Sequence, residues 1–144
     1  MSRFVIDASV AVKWLVEEDG SSEALNLLKK HRMASPDLLI AECANVLWKK
    51  VKRAELSAEE AIVAARLLQR ADIEILPTRN LMDRALELAI TVDHAAYDCV
   101  YLALAVERNW PLVTADDRFR RIVGAAKGAQ LRGHVLSMKE ALAR

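Results

Sequence analysis

The chain has few of the residues that mark disulfide-rich, fibrous or disordered proteins. It contains two cysteines, four glycines and three prolines among 144 residues, and aromatic residues make up 5%. Cys43 and Cys99 are too few for a disulfide framework, and their spacing fits no zinc motif. We interpret both as small buried side chains in a reducing compartment. Because glycine and proline are scarce, we expect no long loops.

Long apolar runs and a strong charge imbalance are also absent. No run approaches the roughly 18 residues that a membrane-spanning helix needs, and the N-terminus lacks the charged-then-apolar pattern of a signal peptide. We therefore expect a cytoplasmic protein without a membrane segment. The formal net charge of +1 argues against binding of nucleic acid through overall charge, and it leaves local basic patches open.

The chain is rich in the residues that build a globular core. Hydrophobic residues make up 53% of it, and its length suffices for one sizeable core. Short apolar runs predict strands at residues 4–6, 33–35, 73–76, 111–114 and 135–136. Helical patterns predict helices at residues 10–18, 22–31, 37–53, 58–70, 80–92, 95–109, 117–123 and 138–142. Ser21 or Ser22 can cap the second of these, and Ser57 with Glu60 has the spacing of a capping box at the start of the fourth. This alternation predicts a single domain over residues 1–144. It is an α/β/α sandwich with a mainly parallel central sheet of about four to five strands.

Two of the predicted strands are followed within two residues by an acid. Asp7 follows the run at residues 4–6, and Asp116 follows the run at 111–114. The carboxyl ends of parallel strands meet at one edge of the sheet, where ligands bind at the point of strand-order reversal. Aspartate is also a preferred helix N-cap, so for each acid taken alone a purely capping role stays open.

Two further acids interrupt apolar helix faces. Glu42 lies at helical spacing from Leu38 and Val46, and Asp98 lies at helical spacing from Leu102. A carboxylate that faces an apolar interior is costly unless it meets a cation, a hydrogen-bond partner or a metal. For either acid alone, a salt bridge to a basic neighbour is the competing interpretation.

The four acids together predict a metal site. Asp7, Asp116, Glu42 and Asp98 would repel one another strongly without a shared partner, and no set of inward-facing lysines or arginines balances them. Hard oxygen ligands without zinc-type histidine or cysteine spacing favour Mg²⁺ or Mn²⁺. Nucleases use such clusters, because the metal activates a water and stabilises charge on the phosphate. A phosphatase of the Asp-x-Asp type is excluded, since Ser9 occupies the second acid's place.

Four short segments, taken in chain order, carry a family resemblance. They are Val5-Ile6-Asp7-Ala8-Ser9, Pro36-Asp37-Leu38 with Glu42 and Asn45, Tyr97-Asp98 before Tyr101-Leu102-Ala103-Leu104-Ala105, and Leu112-Val113-Thr114-Ala115-Asp116. Together they resemble the PIN-domain family over nearly the whole chain. More narrowly, the chain resembles the VapC toxins of toxin–antitoxin pairs.

The resemblance implies an activity, a site and partners. It implies a PIN-like fold and a Mg²⁺- or Mn²⁺-dependent endoribonuclease whose catalytic and metal-binding acids are the four already named. Ser9, Asn45 and Thr114 match positions at which the family places polar support. The resemblance also implies an RNA substrate, a homodimer, and a VapB-like antitoxin whose C-terminal segment occupies the active-site groove. The alternative is a catalytically inactive PIN-fold module that binds RNA or antitoxin.

Other charged and aromatic residues have open roles. We hypothesise that Arg118, Arg120 and Arg121 bind RNA, while the basic run at 49–53 fits either a helix C-terminus or a phosphate contact. Asp117 is interpreted as a first-turn acid and Asp93 as a cap or rim residue. His94 lies four residues before Asp98, where it is either structural or faces the site. Trp14 and Trp48 are expected in the core or a dimer interface.

Overall fold

Five short strands form a parallel sheet in the computed structural model, which describes residues 2–126 and 129–144. The strands are β1 (Arg3–Ile6), β2 (Arg32–Pro36), β3 (Ile73–Leu76), β4 (Leu112–Val113) and β5 (Val135–Leu136). Their order is β3-β2-β1-β4-β5, and each neighbouring pair is parallel. Phe4, Val5 and Ile6 are fully buried, as expected for a central strand covered on both faces. The predicted parallel sheet is confirmed.

Eight α-helices flank this sheet within the described ranges. They are α1 (Ala8–Leu15), α2 (Ser21–Lys30), α3 (Leu38–Lys52), α4 (Ala58–Arg70), α5 (Met82–Val92), α6 (Ala96–Arg108), α7 (Asp117–Ala125) and α8 (Met138–Leu142). Two 3₁₀ segments, Thr78–Leu81 and Ala129–His134, precede α5 and β5. The predicted α/β/α arrangement is confirmed, whereas the assignment of residues 1–144 to one domain stays a prediction.

Helix α6 supplies much of the core. Its residues from Cys99 to Ala105 are all buried, and it packs against β1, β2, β4 and α5. Both cysteines are fully buried free thiols, as predicted. Burial, with help from nearby acids, raises the pKa of the Cys43 thiol to about 12 and that of Cys99 to about 11.

The segment between α1 and α2 differs from the sequence-based expectation. Helix α1 ends at Leu15 rather than near residue 18, and Glu18, beyond its end, forms ion pairs with Lys13 at 3.4 Å and Lys50 at 2.9 Å. Gly20, at φ 89°, stands at the N-cap of α2 instead of a serine. The hydroxyl of Ser21 donates to the Val16 carbonyl instead. The left-handed turn that Gly20 permits thus takes the place of a side-chain cap.

Other local expectations hold, with one exception. Ser57 and Glu60 form the predicted capping box at the start of α4. Trp14 packs against the core and donates from its indole N–H to the Ala24 carbonyl at 2.7 Å. The side chain of Trp48 is 55% exposed, so it is not a core residue. The Lys52 ammonium lies 5.2 Å from the centroid of its ring.

In the part of the chain that the structure describes, no single helix is long and apolar enough to cross a membrane. The segments Thr78–Val92 and Ala96–Arg108 reach the length and apolar composition of a membrane-spanning helix when they are taken together, and a bend of 114° separates them.

Candidate active site

The sheet reverses its strand order between β1 and β4. From β1 the chain adds β2 and β3 on one side and later β4 and β5 on the other. Ile6 is in register with Val113, so the residues that follow them, Asp7 and Thr114, lie side by side at the carboxyl ends of the strands. A crevice at such a reversal is where open α/β sheets bind ligands.

Both carboxylate oxygens of Asp7 are held by hydroxyl groups. Ser9 Oγ donates to Oδ1 and Thr114 Oγ1 donates to Oδ2, each at 2.5 Å. The two hydroxyls in turn accept the backbone N–H groups of Ala115, at 2.9 Å, and Asp116, at 3.1 Å. Because those amides approach the hydroxyl oxygens, the hydroxyl hydrogens point to Asp7. The chain after β4 therefore fixes the orientation of the carboxylate that follows β1.

Asp7 is a buried acid with a perturbed proton affinity. Asp7 is only 8% exposed, and this burial raises the pKa of its carboxyl group from the ordinary 3.8 to about 6. The hydroxyls of Ser9 and Thr114 lower the pKa, and the negative charge of Asp98 raises it. Asp7 also caps α1 through Val10 N–H at 3.4 Å, so the capping and chemical interpretations are not exclusive.

In the described ranges, the carboxylate of Glu42 contacts a tyrosine and not a lysine or arginine. Its Oε1 accepts a short hydrogen bond from the hydroxyl of Tyr101, which is 1% exposed. Burial raises the pKa of Glu42; the tyrosine lowers it, and the charge of Asp98 raises it again. Burial and the same contact raise the pKa of Tyr101, so this hydroxyl acts as a donor. The salt bridge considered for Glu42 does not occur among the described residues.

Asp98 meets a histidine. Oδ2 of Asp98 and Nε2 of His94 are 2.6 Å apart, and the imidazole packs on Phe119 with ring centroids 4.9 Å apart. Of the two open interpretations of His94, the structure therefore supports contact with a site acid. Asp93 adopts a left-handed conformation at the end of α5, which agrees with its interpretation as a cap.

Asp116 occupies the N-cap of α7. Its Oδ1 accepts from Phe119 N–H at 3.0 Å, and its own N–H donates to Thr114 in the network around Asp7. Its neighbour Asp117 is exposed and pairs with Arg120 at 2.8 Å, which lowers the pKa of Asp117. Asp117 is thus the first-turn acid that the sequence suggested, and Asp116 is the one connected to the hydrogen-bond network around Asp7.

Among the described residues the four acids have no lysine or arginine partner, which fits a cation. In the described residues no lysine or arginine forms an ion pair with Asp7, Glu42, Asp98 or Asp116. No three histidine, cysteine or acidic side chains there lie close enough to enclose an ion by themselves. Mg²⁺ keeps several waters and is commonly held by one or two carboxylates. The arrangement therefore suits a hydrated Mg²⁺ or Mn²⁺ and not a closed structural site.

A shallow groove lies beside Glu42. It encloses about 450 Å³, and its lining residues are Ala8, Leu38, Ala41, Glu42, Asn45, Val46, Lys49 and Tyr97. The exposed Asn45 is therefore on the same surface as the acid, one helical turn away. Lys49 places one cation at the groove, whereas Lys50 is engaged with Glu18.

The arginines of α7 are not equivalent. Arg120 is tied to Asp117 and, at 3.4 Å, to Glu140. Arg118 and Arg121 are exposed and form no ion pair within the described ranges. The two exposed arginines are therefore better suited to an external anion than Arg120 is.

The sequence left the role of His94 at Asp98 open, and it gave no role to two further polar residues near the acids. These are Tyr101 at Glu42, and Ser35, whose buried hydroxyl donates to the Ile6 carbonyl at 2.9 Å just before Asp7. The i, i+4 spacing of His94 and Asp98 was a signal for their contact. No local signal links Tyr101 to Glu42, because 59 residues separate them.

Comparison with known proteins identifies the family to which the chain is related. The sequence model of the PIN domain matches residues 4–125. The ribonuclease VapC9 of Mycobacterium tuberculosis is 32% identical over 114 residues, covering 79% of this chain and 86% of that protein. Ribonuclease VapC1 of the same organism is 32% identical over 134 residues, covering 86% and 93%. The structure of VapBC2 from Rickettsia felis, bound to a DNA fragment from its promoter, has a TM-score of 0.63 at 15% identity and covers 94% of this chain and 98% of that chain.

These matches define the class of the protein. The chain belongs to the PIN-domain family, which confirms the resemblance drawn from its four motifs. Its curated relatives are VapC ribonucleases.

Proposed function

We propose that this chain is a Mg²⁺- or Mn²⁺-dependent endoribonuclease and the toxin of a toxin–antitoxin pair. One observation carries the proposal: the negative charge of Asp98 raises the pKa of both Asp7 and Glu42, and neutral or weakly basic donors hold these three acids instead of lysines or arginines. Acids that only stabilised the fold would be expected to pair with cations. The VapC ribonucleases among its relatives support the same activity.

Each residue has a defined part in this proposal. A bound divalent ion supplies the activation of water and the neutralisation of charge on the phosphate. Asp7, Glu42, Asp98 and Asp116 would hold that ion directly or through its waters. Ser9 and Thr114 keep both oxygens of Asp7 oriented, since each donates its hydrogen to one of them. Asn45, on the groove beside Glu42, is placed to donate to RNA or to a water there.

Cleavage of RNA by the purified chain tests the activity. We expect cleavage with Mg²⁺ or Mn²⁺ and none with excess EDTA. Asp7→Asn and Asp98→Asn should each reduce cleavage by at least about 100-fold, because each removes a charge directed at the metal site. Asp117→Asn is the matched control, since Asp117 is exposed and ion-paired on the surface. It should retain full activity.

The result also separates the two candidate functions. RNA binding without cleavage in Mn²⁺ would favour the inactive binding module. Cleavage that survives both Asp7→Asn and Asp98→Asn would contradict the assignment of these acids. Urea denaturation of every variant shows whether a loss of activity reflects a loss of folding.

We propose that Arg118 and Arg121 hold RNA phosphates, while Arg120 stays in its ion pairs with Asp117 and Glu140. Arg118→Glu combined with Arg121→Glu should weaken RNA binding and reduce its dependence on salt concentration, since fewer counterions are released. Mn²⁺ affinity should not change. RNA affinity equal to that of the unaltered protein would remove these arginines from the interface.

We further propose a VapB-like antitoxin partner, a homodimer and a cytoplasmic location. The fold similarity to VapBC2 supports the first of these. Co-expression with the product of a small neighbouring reading frame, followed by light scattering, would show both a complex and the number of copies. Copurification of a small DNA-binding protein that suppresses RNA cleavage supports the toxin–antitoxin pair. A monomeric protein that the product of the neighbouring reading frame neither binds nor inhibits contradicts both the antitoxin and the homodimer.

A further inference from the structure

His94 is held in a fixed position between two helices. Asp93, at φ 52°, turns the chain at the end of α5, and the N–H of His94 donates to the Ala89 carbonyl at 3.2 Å. One edge of the imidazole faces Asp98 at 2.6 Å, while the ring lies against Phe119 of α7. Backbone and side chain of His94 are therefore both fixed by neighbours.

This contact replaces a common feature of helix starts. Asp98 is the third residue of α6, and an acid at that position often reaches back to the backbone N–H of the N-cap residue. In this chain the N-cap is Ala95, which has no polar side chain, and Oδ2 of Asp98 lies against the imidazole. With Asp98 ionised, Nε2 is the donor in this contact, because a carboxylate can only accept. The carboxylate is thereby turned away from the N-cap.

We propose that His94 is a positioning residue that holds Asp98 in the orientation needed to bind the divalent ion. This inference rests on the proposed function. One oxygen of Asp98 is engaged by the histidine, which leaves the other available to an ion or to its waters. Partners that orient metal-binding side chains in this way typically change metal affinity 10–100-fold when removed. His94 acts through Asp98 and does not itself contact the substrate.

Two substitutions separate the hydrogen bond from the ring packing. His94→Phe keeps a ring against Phe119 and removes the donor. His94→Gln removes the ring, but its amide nitrogen reaches approximately the position of Nε2. If His94 were only a packing residue, His94→Phe would be the milder change. If it positions Asp98, His94→Gln would be the milder change.

The measurement is Mn²⁺ affinity, followed by electron paramagnetic resonance of free Mn²⁺ during titration of the full chain. We expect His94→Phe to weaken binding about 10–100-fold and His94→Gln to recover most of that loss. In an Asp98→Asn background His94→Phe should produce no further change, because the group that His94 orients is already altered. Unfolding in urea confirms that each variant is folded.

The outcomes distinguish this inference from the activity on which it rests. A protein that neither binds Mn²⁺ nor cleaves RNA contradicts the proposed function. A protein that does both, but whose His94→Phe variant binds Mn²⁺ normally, contradicts the role of His94 alone. Equal weakening by His94→Phe and His94→Gln also contradicts it.

Discussion

Asp7→Asn should stabilise the protein at neutral pH, although it replaces a well-bonded residue. Burial raises the pKa of Asp7 from 3.8 to about 6. Between these values the folded state binds more protons than the unfolded state, so stability falls as pH rises. Each pH unit across this interval lowers the free energy of unfolding by about 1.36 kcal/mol. The total loss above pH 6 is about 3 kcal/mol.

Asparagine avoids this loss at a smaller cost. Its oxygen can accept from one of the two hydroxyls that contact Asp7, while its amide must face the other, which disturbs one hydrogen bond worth about 1 kcal/mol. The variant should therefore be less stable than the unaltered chain by about 1 kcal/mol near pH 4 and more stable by about 2 kcal/mol near pH 8. The difference between the two proteins changes sign with pH.

Urea denaturation at pH values from 4 to 8, with EDTA present, measures this difference directly. Asp117→Asn is the control: because Arg120 lowers the pKa of Asp117 below its ordinary 3.8, its ionisation affects stability below about pH 4, and the difference between this variant and the unaltered protein should stay nearly constant from pH 4 to 8. A difference between Asp7→Asn and the unaltered chain that stays constant from pH 4 to 8 would refute the reasoning. In Mn²⁺ the advantage of the variant at pH 8 should shrink, since a bound cation favours the ionised acid.

Three further outcomes are expected. Tyr101→Phe removes the donor to Glu42 and should lower the unfolding free energy by about 1–3 kcal/mol. Tyr97→Phe, at a position that is 67% exposed, should change it little. Ser57→Ala removes the cap of α4 and should cost about 1 kcal/mol in urea unfolding; no loss would show that the capping box contributes nothing. Both cysteine thiols, buried and with raised pKa values, should resist alkylation at pH 8 until urea unfolds the chain, and rapid native-state labelling would contradict their burial.

The sequence was sufficient to predict features that depend on nearby residues. Residue type and spacing located the strand before Asp7, the capping box at Ser57 and the inward direction of Glu42. Hydrophobic periodicity and capping act over one or two helical turns, so a single sequence contains them. The fold class followed because alternating strands and helices have few ways to assemble.

Long-range contacts limited the prediction. Glu18, just beyond the end of α1, pairs with Lys50, which lies 32 residues further along the chain. Trp48 fits a helix face that could be buried, yet its side chain is exposed because no described element covers it. Tyr101 is buried like its apolar neighbours, but its hydroxyl also contacts Glu42, and this contact depends on how α3 and α6 pack. Such pairings arise from tertiary structure alone.

The double use of Asp7 and Asp116 as helix caps has an evolutionary consequence. Each acid accepts a backbone N–H at the start of a helix, and asparagine is about as good an N-cap as aspartate. A single nucleotide change in an aspartate codon can therefore remove a charge from the site while the helix start is preserved. Under the proposed function, one such substitution would separate catalysis from folding, because it removes a charge from the proposed metal site and keeps the helix start.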